Sequence, residues 1–297
     1  MSKNVALVLG SGGARGLAHI GVLEALLDHG FNITSIAGSS IGAVIGGCYA
    51  RGKMREGKAW FAALDKFDLF NLIDFTFSKQ GLVKGDRLFD NLKEIIGDKL
   101  IDDLYIPYIA VATDIQQNKE VVFRHGSLLT AMRASVAIPS FITPFFYHGR
   151  ELIDGGVTNP LPINRIHRFP KDICIAVDIN ANIPYTPVIS QSLPPQELFG
   201  SDSYEKNMRS FISFFNKTAD KKVVKMAETI GFLDIINRSF DIMQDQISAH
   251  IIQTHPPDVL IQVSRKACGT LDFYKIDEMI AHGREATEKA LREKKLI

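Results

Sequence analysis

Short apolar runs closed by glycine or polar residues alternate along the chain with longer segments of helical period. Val5–Leu9 is the first such run. Five apolar residues without alternation predict a strand covered on both faces. From Gly16 to about His29 the period becomes helical, with Gly16, Ile20, Leu23 and Leu27 on one face and Gly30 as the C-terminal cap. Ile33–Ala37 predicts a second strand, which completes a right-handed β-α-β unit. Strands are expected again at Ile106–Thr113, Glu120–Phe123, Ile173–Ile179 and Asp258–Val263. Helices are expected from Lys53 to Phe67, from an Asp86 N-cap to about Ile96, over Leu128–Val136 ahead of Ile138-Pro139, and from Ile276 to Lys294. His148-Gly149-Arg150 reads as a tight turn between Phe141–Tyr147 and Glu151-Leu152-Ile153, and Pro160 and Pro162 mark a turn before a short helix. Asn180 to Ser203 holds four prolines and no period, the pattern of a long surface loop, and Tyr204 to Ile252 is mostly helical. Nothing repeats and no linker separates two cores. The alternation predicts one α/β domain over residues 1–297, with a mainly parallel central sheet in a three-layer α/β/α arrangement.

The strand–turn–helix from Ile33 to Ala50 stands out within this pattern, because its turn reads Gly38-Ser39-Ser40-Ile41-Gly42. This is the G-x-S-x-G pattern of a nucleophile elbow. A serine on so sharp a turn leaves no room for side chains two positions either side, hence Gly38 and Gly42. The turn would lift Ser40 Oγ clear of the sheet and set it at a helix N-terminus, where developing negative charge is favoured. The plainer alternative is a packed turn with Ser40 as an N-cap.

The first strand is followed by a second glycine loop, Gly10-Ser11-Gly12-Gly13-Ala14-Arg15-Gly16. A dinucleotide site would need a third glycine where Arg15 stands and an acidic residue at the end of the second strand, where Gly38-Ser39-Ser40 stands instead. The other use of such a loop is as exposed N–H groups that hold an oxyanion. Both loops follow adjacent parallel strands, so they share one edge of the sheet.

Composition changes this picture little. Of 297 residues 46% are hydrophobic and 23% charged, ordinary for a globular protein, and the formal net charge of +1 makes no case for nucleic acid. Cys48, Cys174 and Cys268 are far apart and read as reduced core thiols, without a disulfide framework or a metal site. Val5–Leu9 is too short for a secretory segment, and no stretch reaches the ~18 apolar residues of a membrane span. The expected location is cytoplasmic, with peripheral contact at the inner membrane surface left open.

An activated serine needs a base. A Ser-His-Asp hydrolase of the usual α/β type would place histidine after the last strand, but Ser264 to Gly269 contains none. His255 precedes that strand, His282 lies inside the last helix, and His19, His29, His125, His148, His167 and His250 are scattered without motif. Asp154, followed by Gly155 and Gly156, is a carboxylate on tight turn geometry with its backbone open to close approach.

Taken together, G-x-G-G-x-R-G after the first strand, G-x-S-x-G after the second and D-G-G beyond residue 150 resemble the patatin-like phospholipase family in its short bacterial form. The resemblance runs by motif from about Val5 to Asn164. It implies a serine esterase, a lipid acyl hydrolase of phospholipase A or lysophospholipase type, working by a Ser–Asp dyad through an acyl-enzyme, with no cofactor and no metal. Carried over by motif, Ser40 is the nucleophile, Asp154 the base, the amides of Gly12 and Gly13 the oxyanion hole, and Arg15 the brace of that loop. Ser11 stands where the family more often has glycine, which would narrow the φ available there. Two other functions compete: an acyltransferase using the same serine, and a non-catalytic lipid-binding or regulatory protein.

The expected partners are a lipid or other acyl ester and, as an alternative use of its apolar faces, a second copy of the chain in a homodimer. Two aromatic groups bear on how such a substrate is met. Phe211, Phe214 and Phe215 with Ile212, flanked by Lys206, Arg209 and Lys217, could lie in a lipid interface or be core or a dimer contact. The stretch from Phe70 to Gly85 could cap an acyl pocket or tuck into the core. Trp60, Phe61, Leu64 and Phe67 read as core.

Overall fold

Five residues of the first apolar run, Val5 through Leu9, have no accessible surface at all. Side chains alternate between the faces of a strand, so a run buried at every position must be covered on both sides. This run is β1 (Asn4–Leu9) in the computed structural model, which describes residues 3–63, 85–139, 141–187, 222–270 and 272–297. It is followed by β2 (Asn32–Ser39), β3 (Tyr108–Asp114), β4 (Lys119–Phe123), β5 (Phe145–Tyr147), β6 (Arg150–Asp154), β7 (Ile173–Ala181) and β8 (Val259–Ser264). The sheet runs β5-β6-β3-β2-β1-β7-β8, with β4 also paired to β3. The pairs β1–β2, β1–β7, β2–β3 and β7–β8 are parallel, while β3–β4, β3–β6 and β5–β6 are antiparallel. The fold is therefore three-layer α/β/α with a mainly parallel central sheet, and antiparallel strands gather at one side.

The flanking helices are α1 (Ala18–Asp28), α2 (Ile41–Ala50), α3 (Met54–Ala63), α4 (Asp86–Ile96), α5 (Leu128–Ser135), α6 (Lys222–Thr254) and α7 (Ile276–Glu293). Two local expectations need correction. Asp86 does not cap α4: Gly85 holds the N-cap position, and the Asp86 carboxylate instead accepts from Arg133 Nε at 3.2 Å. Leu27 does not share the buried face of Gly16, Ile20 and Leu23; it is 46% exposed. The remainder of α1 is buried nearly all round because α7 lies against it, so a single-stripe reading of this helix fails. Gly30 closes α1 in the left-handed region, at φ 74°.

The α1–α7 packing depends on bare backbone. A Cβ on Gly21 would lie 1.9 Å from the Ile280 carbonyl oxygen, and one on Gly283 would lie 2.0 Å from that of Ala18. Backbone cannot step aside as a flexible side chain can. Gly21→Ala is expected to destabilise the fold by about 1–3 kcal/mol through overpacking. Thermal unfolding checks this; a melting temperature equal to wild type would show that the two helices separate freely.

The chain divides into two compact units, residues 1–188 with 244–297, and residues 189–243. The first holds the whole sheet. Of the second, residues 222–243 are described, as helix. Leu64, Phe67, the stretch from Phe70 to Lys84, residues 188–203, and the group Phe211, Ile212, Phe214 and Phe215 lie outside the described residues. Among the described residues, no helix is long and apolar enough to cross a membrane. Cys48, Cys174 and Cys268 are free and buried, and burial pushes the Cys48 thiol up to about 12.

Candidate active site

Strand register brings the candidate groups to one place. Leu9 at the end of β1 pairs with Gly38 of β2, so the loops that follow these strands start side by side. Ser39 pairs with Val111 of β3, and the next residue of β3, Ala112, pairs with Asp154 at the end of β6. Because β6 is antiparallel to β3, it enters from the far edge and delivers Asp154 at the level of Ser40, across one intervening strand. The turn after it lies on β3 itself: a Cβ on Gly155 would sit 2.2 Å from the Val111 carbonyl oxygen.

Ser40 occupies the N-cap position of α2, but its side chain makes no capping bond. Its hydroxyl donates to Asp154 Oδ2 at 2.5 Å instead. Its backbone sits at φ 54°, ψ −126°, a conformation that costs a residue with a Cβ about 1–3 kcal/mol. The surroundings enforce it. A Cβ on Gly42 would lie 2.2 Å from the Leu9 carbonyl oxygen, and one on Gly38 would lie 2.5 Å from the Ala43 nitrogen. The Ser40 N–H donates to Ser135 Oγ at 2.9 Å, so the amide of Ser40 itself is already engaged.

Asp154 is 3% exposed and held from several directions. Its Oδ1 accepts the Gly156 N–H at 2.7 Å, its N–H donates to Ala137 O at 2.9 Å, and its carbonyl accepts from Thr113 Oγ1 at 2.9 Å. Burial drives the carboxyl from its ordinary value up to about 7, against the pull of the Ser40 hydroxyl and the Gly156 amide, which favour the ionised form.

Gly12 and Gly13 are separated by the structure. Gly13 opens a 3-10 turn (Gly13–Leu17) and lines the same cavity as Ser40; Gly12 does not line it. Gly13 has φ 59°, and a Cβ there would lie 2.5 Å from the Thr270 carbonyl oxygen, so only glycine fits. Ser11 has no positive φ, so serine is accommodated there without backbone strain. Arg15 is 6% exposed and ties the loop together. Its Nε donates to Gly12 O at 3.0 Å, and its guanidinium also reaches Arg265 O at 3.3 Å and Thr270 Oγ1 at 3.4 Å. His19 pins the loop's start, with Nε2 2.9 Å from Gly10 O, and burial drives its imidazole down to about 4, so it stays neutral.

The cavity at Ser40 measures about 80 Å³. Its wall is apolar and includes Trp60, Phe61, Phe89, Val136, Ile142 and Phe273. Trp60 and Phe61 are buried, as their spacing predicts, yet they also form this wall. Larger hollows lie elsewhere, such as one of about 590 Å³ beside Tyr49 and Tyr105, away from both catalytic candidates. Among the described residues no histidine is paired with Ser40 or Asp154: His255 meets Thr254, His125 meets Asp102, and His282 is buried in α7. No cluster of three or more His, Cys, Asp or Glu among the described residues could hold a metal ion. Thr113, Ser135, Thr270 and Phe273 escaped the sequence reading, since none belongs to a recognisable local pattern.

Known proteins share sequence and fold with this chain. The family model for patatin-like phospholipase matches residues 7–166. An uncharacterized NTE family protein of Mycobacterium tuberculosis is 34% identical, covering 98% of this chain and 92% of the relative. The human patatin-like phospholipase domain-containing protein 6 is 35% identical over 60% of this chain, which spans only 14% of that protein. The crystal structure of VipD from Legionella pneumophila superposes with a TM-score of 0.57 over 98% of this chain and 67% of that one; at 13% identity it speaks for the fold alone. A model match over more than half the chain and a relative of similar length place the protein: it belongs to the patatin-like phospholipase family.

Proposed function

We propose that this protein is a lipid acyl hydrolase of phospholipase A or lysophospholipase type that works through a Ser40–Asp154 dyad. The observation that carries the reading is the 2.5 Å hydrogen bond to a buried carboxylate from the Oγ of Ser40, which lines an apolar cavity. The cavity takes the acyl chain and sets its ester carbon against Ser40 Oγ. As Oγ attacks, its proton passes to Asp154 Oδ2 and the carbonyl oxygen becomes an oxyanion. The Gly13 amide, at the head of the 3-10 turn, faces that charge, and Gly12 with the Arg15 brace keeps the loop in place. One such donor is worth roughly 2.7–4 kcal/mol in the transition state. The alcohol leaves with the proton held by Asp154, and a water then attacks the acyl-Ser40 ester, with Asp154 taking its proton; the acyl carbon–Oγ bond breaks, Ser40 Oγ takes that proton back from Asp154, and the fatty acid is released. An unperturbed aspartate near ~3.9 would be a poor base for this work; one near neutrality suits it better.

The direct test is covalent labelling of purified protein with a fluorophosphonate, located by peptide mapping, alongside hydrolysis of short acyl esters, lysophospholipids and diacyl phospholipids. Labelling at Ser40 and release of fatty acid are expected. No labelling and no turnover on any of these esters would leave only a binding role.

The pH profile adds a second check. Activity needs the ionised carboxylate, so it rises as pH increases through about 7, the value to which burial brings Asp154. That position overlaps the imidazole range, so the limb by itself does not tell Asp from His. Replacing His167, His255 and His282 one at a time is expected to leave the limb where it is. Displacement or loss of the limb in any of the three would restore a histidine base.

A further inference from the structure

The D-G-G turn is gripped from a second side by a residue far along the chain. Gln244, on α6, is 6% exposed, and its Nε2 donates to Gly156 O at 3.0 Å. A Cβ on Gly156 would lie 2.4 Å from that same nitrogen, so the amide is seated directly against the bare Cα. Gln244 Oε1 in turn accepts from Asn180 Nδ2 at 3.4 Å, at the end of β7. The next helix residue, Asp245, is paired with Arg265, and Arg265 also donates to Asn180 O at 2.7 Å. This ion pair fixes the rotation of the helix and keeps Gln244 turned inward. Gly156 is thus held at both ends, its N–H on Asp154 Oδ1 and its carbonyl on Gln244.

We propose that Gln244 is a positioning residue for the base, holding the Gly156 backbone so that its N–H stays on the Asp154 carboxylate. The inference rests on Asp154 being the base. Glycine has the widest choice of backbone conformations, so a Gly156 released from Gln244 can turn its amide away. A hydrogen bond from an amide to a carboxylate is charge-assisted and favours the ionised form. Its loss would leave burial less opposed and raise the Asp154 carboxyl beyond about 7. Ionisable side chains on the elements around this turn include Tyr108 and Asp114 on β3, Arg133 on α5, Arg150 and Glu151 on β6, His148 in the β5–β6 turn, Asp178 on β7, and Asp245 and His250 on α6. Asp114 takes the amides of residues 116 and 117, Arg133 has Asp86 and Asp245 has Arg265. The Asp154 carboxyl is governed by burial, the Ser40 hydroxyl and the Gly156 amide.

The test compares wild type with Gln244→Met, which keeps length without a donor, in the full chain. Gln244→Asn, an amide one methylene short, serves as the milder variant should the first fold poorly. Turnover of a soluble acyl ester is followed against pH and normalised to fluorophosphonate-reactive sites. The rising limb is expected to move upward by about half a pH unit or more, with turnover at pH 7 falling roughly 3- to 10-fold and recovering at higher pH. KM should stay within about twofold, since Gln244 does not line the cavity. A limb that stays in place in both variants overturns the proposal, whatever happens to stability. Asp154→Asn measured beside them separates the two readings. Wild-type turnover in that variant removes the base assignment itself, and this inference with it, whereas an inactive Asp154→Asn with an unmoved Gln244 limb removes only the role of Gln244.

Discussion

Ser40→Ala is expected to lower kcat/KM on acyl esters by roughly 10⁴-fold or more, as the loss of a nucleophile does in serine hydrolases. Alanine keeps the Cβ that already sits at φ 54°, so the backbone strain at the elbow is unchanged. The Ser40 N–H keeps its bond to Ser135 Oγ, and only one hydroxyl is lost from the cavity floor. The variant should therefore melt near the wild-type temperature and no longer react with a fluorophosphonate. Activity above a tenth of wild type in a folded variant would place the nucleophile elsewhere.

Asp154→Asn is expected to cost roughly 10²–10⁴-fold in turnover, the range attributed to general-base catalysis. Asparagine preserves the shape and can still accept the Gly156 N–H, but an amide facing Ser40 Oγ takes no proton. The same substitution carries a stability signature. The native carboxyl titrates at about 7, against about 3.9 in the unfolded chain, so the folded state holds its proton more tightly. The stability gained from that proton is complete below about pH 4 and is lost as pH rises through about 7. Asparagine never ionises and escapes this loss. Melting temperatures of both proteins from pH 4.5 to 8 should therefore diverge, with the variant gaining on wild type as pH rises. Parallel curves would mean that Asp154 is not a buried, destabilising charge at neutral pH. An inactive variant that is more stable than its parent at pH 8 is what a base held in apolar surroundings predicts.

Local pattern carried much of this protein. Unbroken apolar runs located β1 and β7 because a strand covered on both faces has no polar position to offer. The pentapeptide around Ser40 located the elbow because a turn that sharp tolerates no side chain at Gly38 or Gly42. The glycine loop after β1 suggested an oxyanion site by itself, whereas D-G-G is a common turn, and only resemblance to the family offered Asp154 as a base. What the chain could not disclose locally was decided by partners remote in sequence. Ser40 and Asp154 are 114 residues apart, and their contact follows from the register of β2, β3 and β6. The titration of Asp154 near neutrality comes from burial, which no neighbouring residue encodes. The distinction between Gly13, which lines the cavity, and Gly12, which does not, depends on how the loop after β1 and the segment after β8 meet at Thr270. Leu27 and Asp86 were misread for the same reason, since a helix packed on its outer side and an arginine 47 positions away overrode the local signals. Periodicity and turn chemistry reach only a few residues along the backbone. Burial, proton affinity and the grip of Gln244 on Gly156, 88 positions away, arise only once the sheet and its helices have closed around the site.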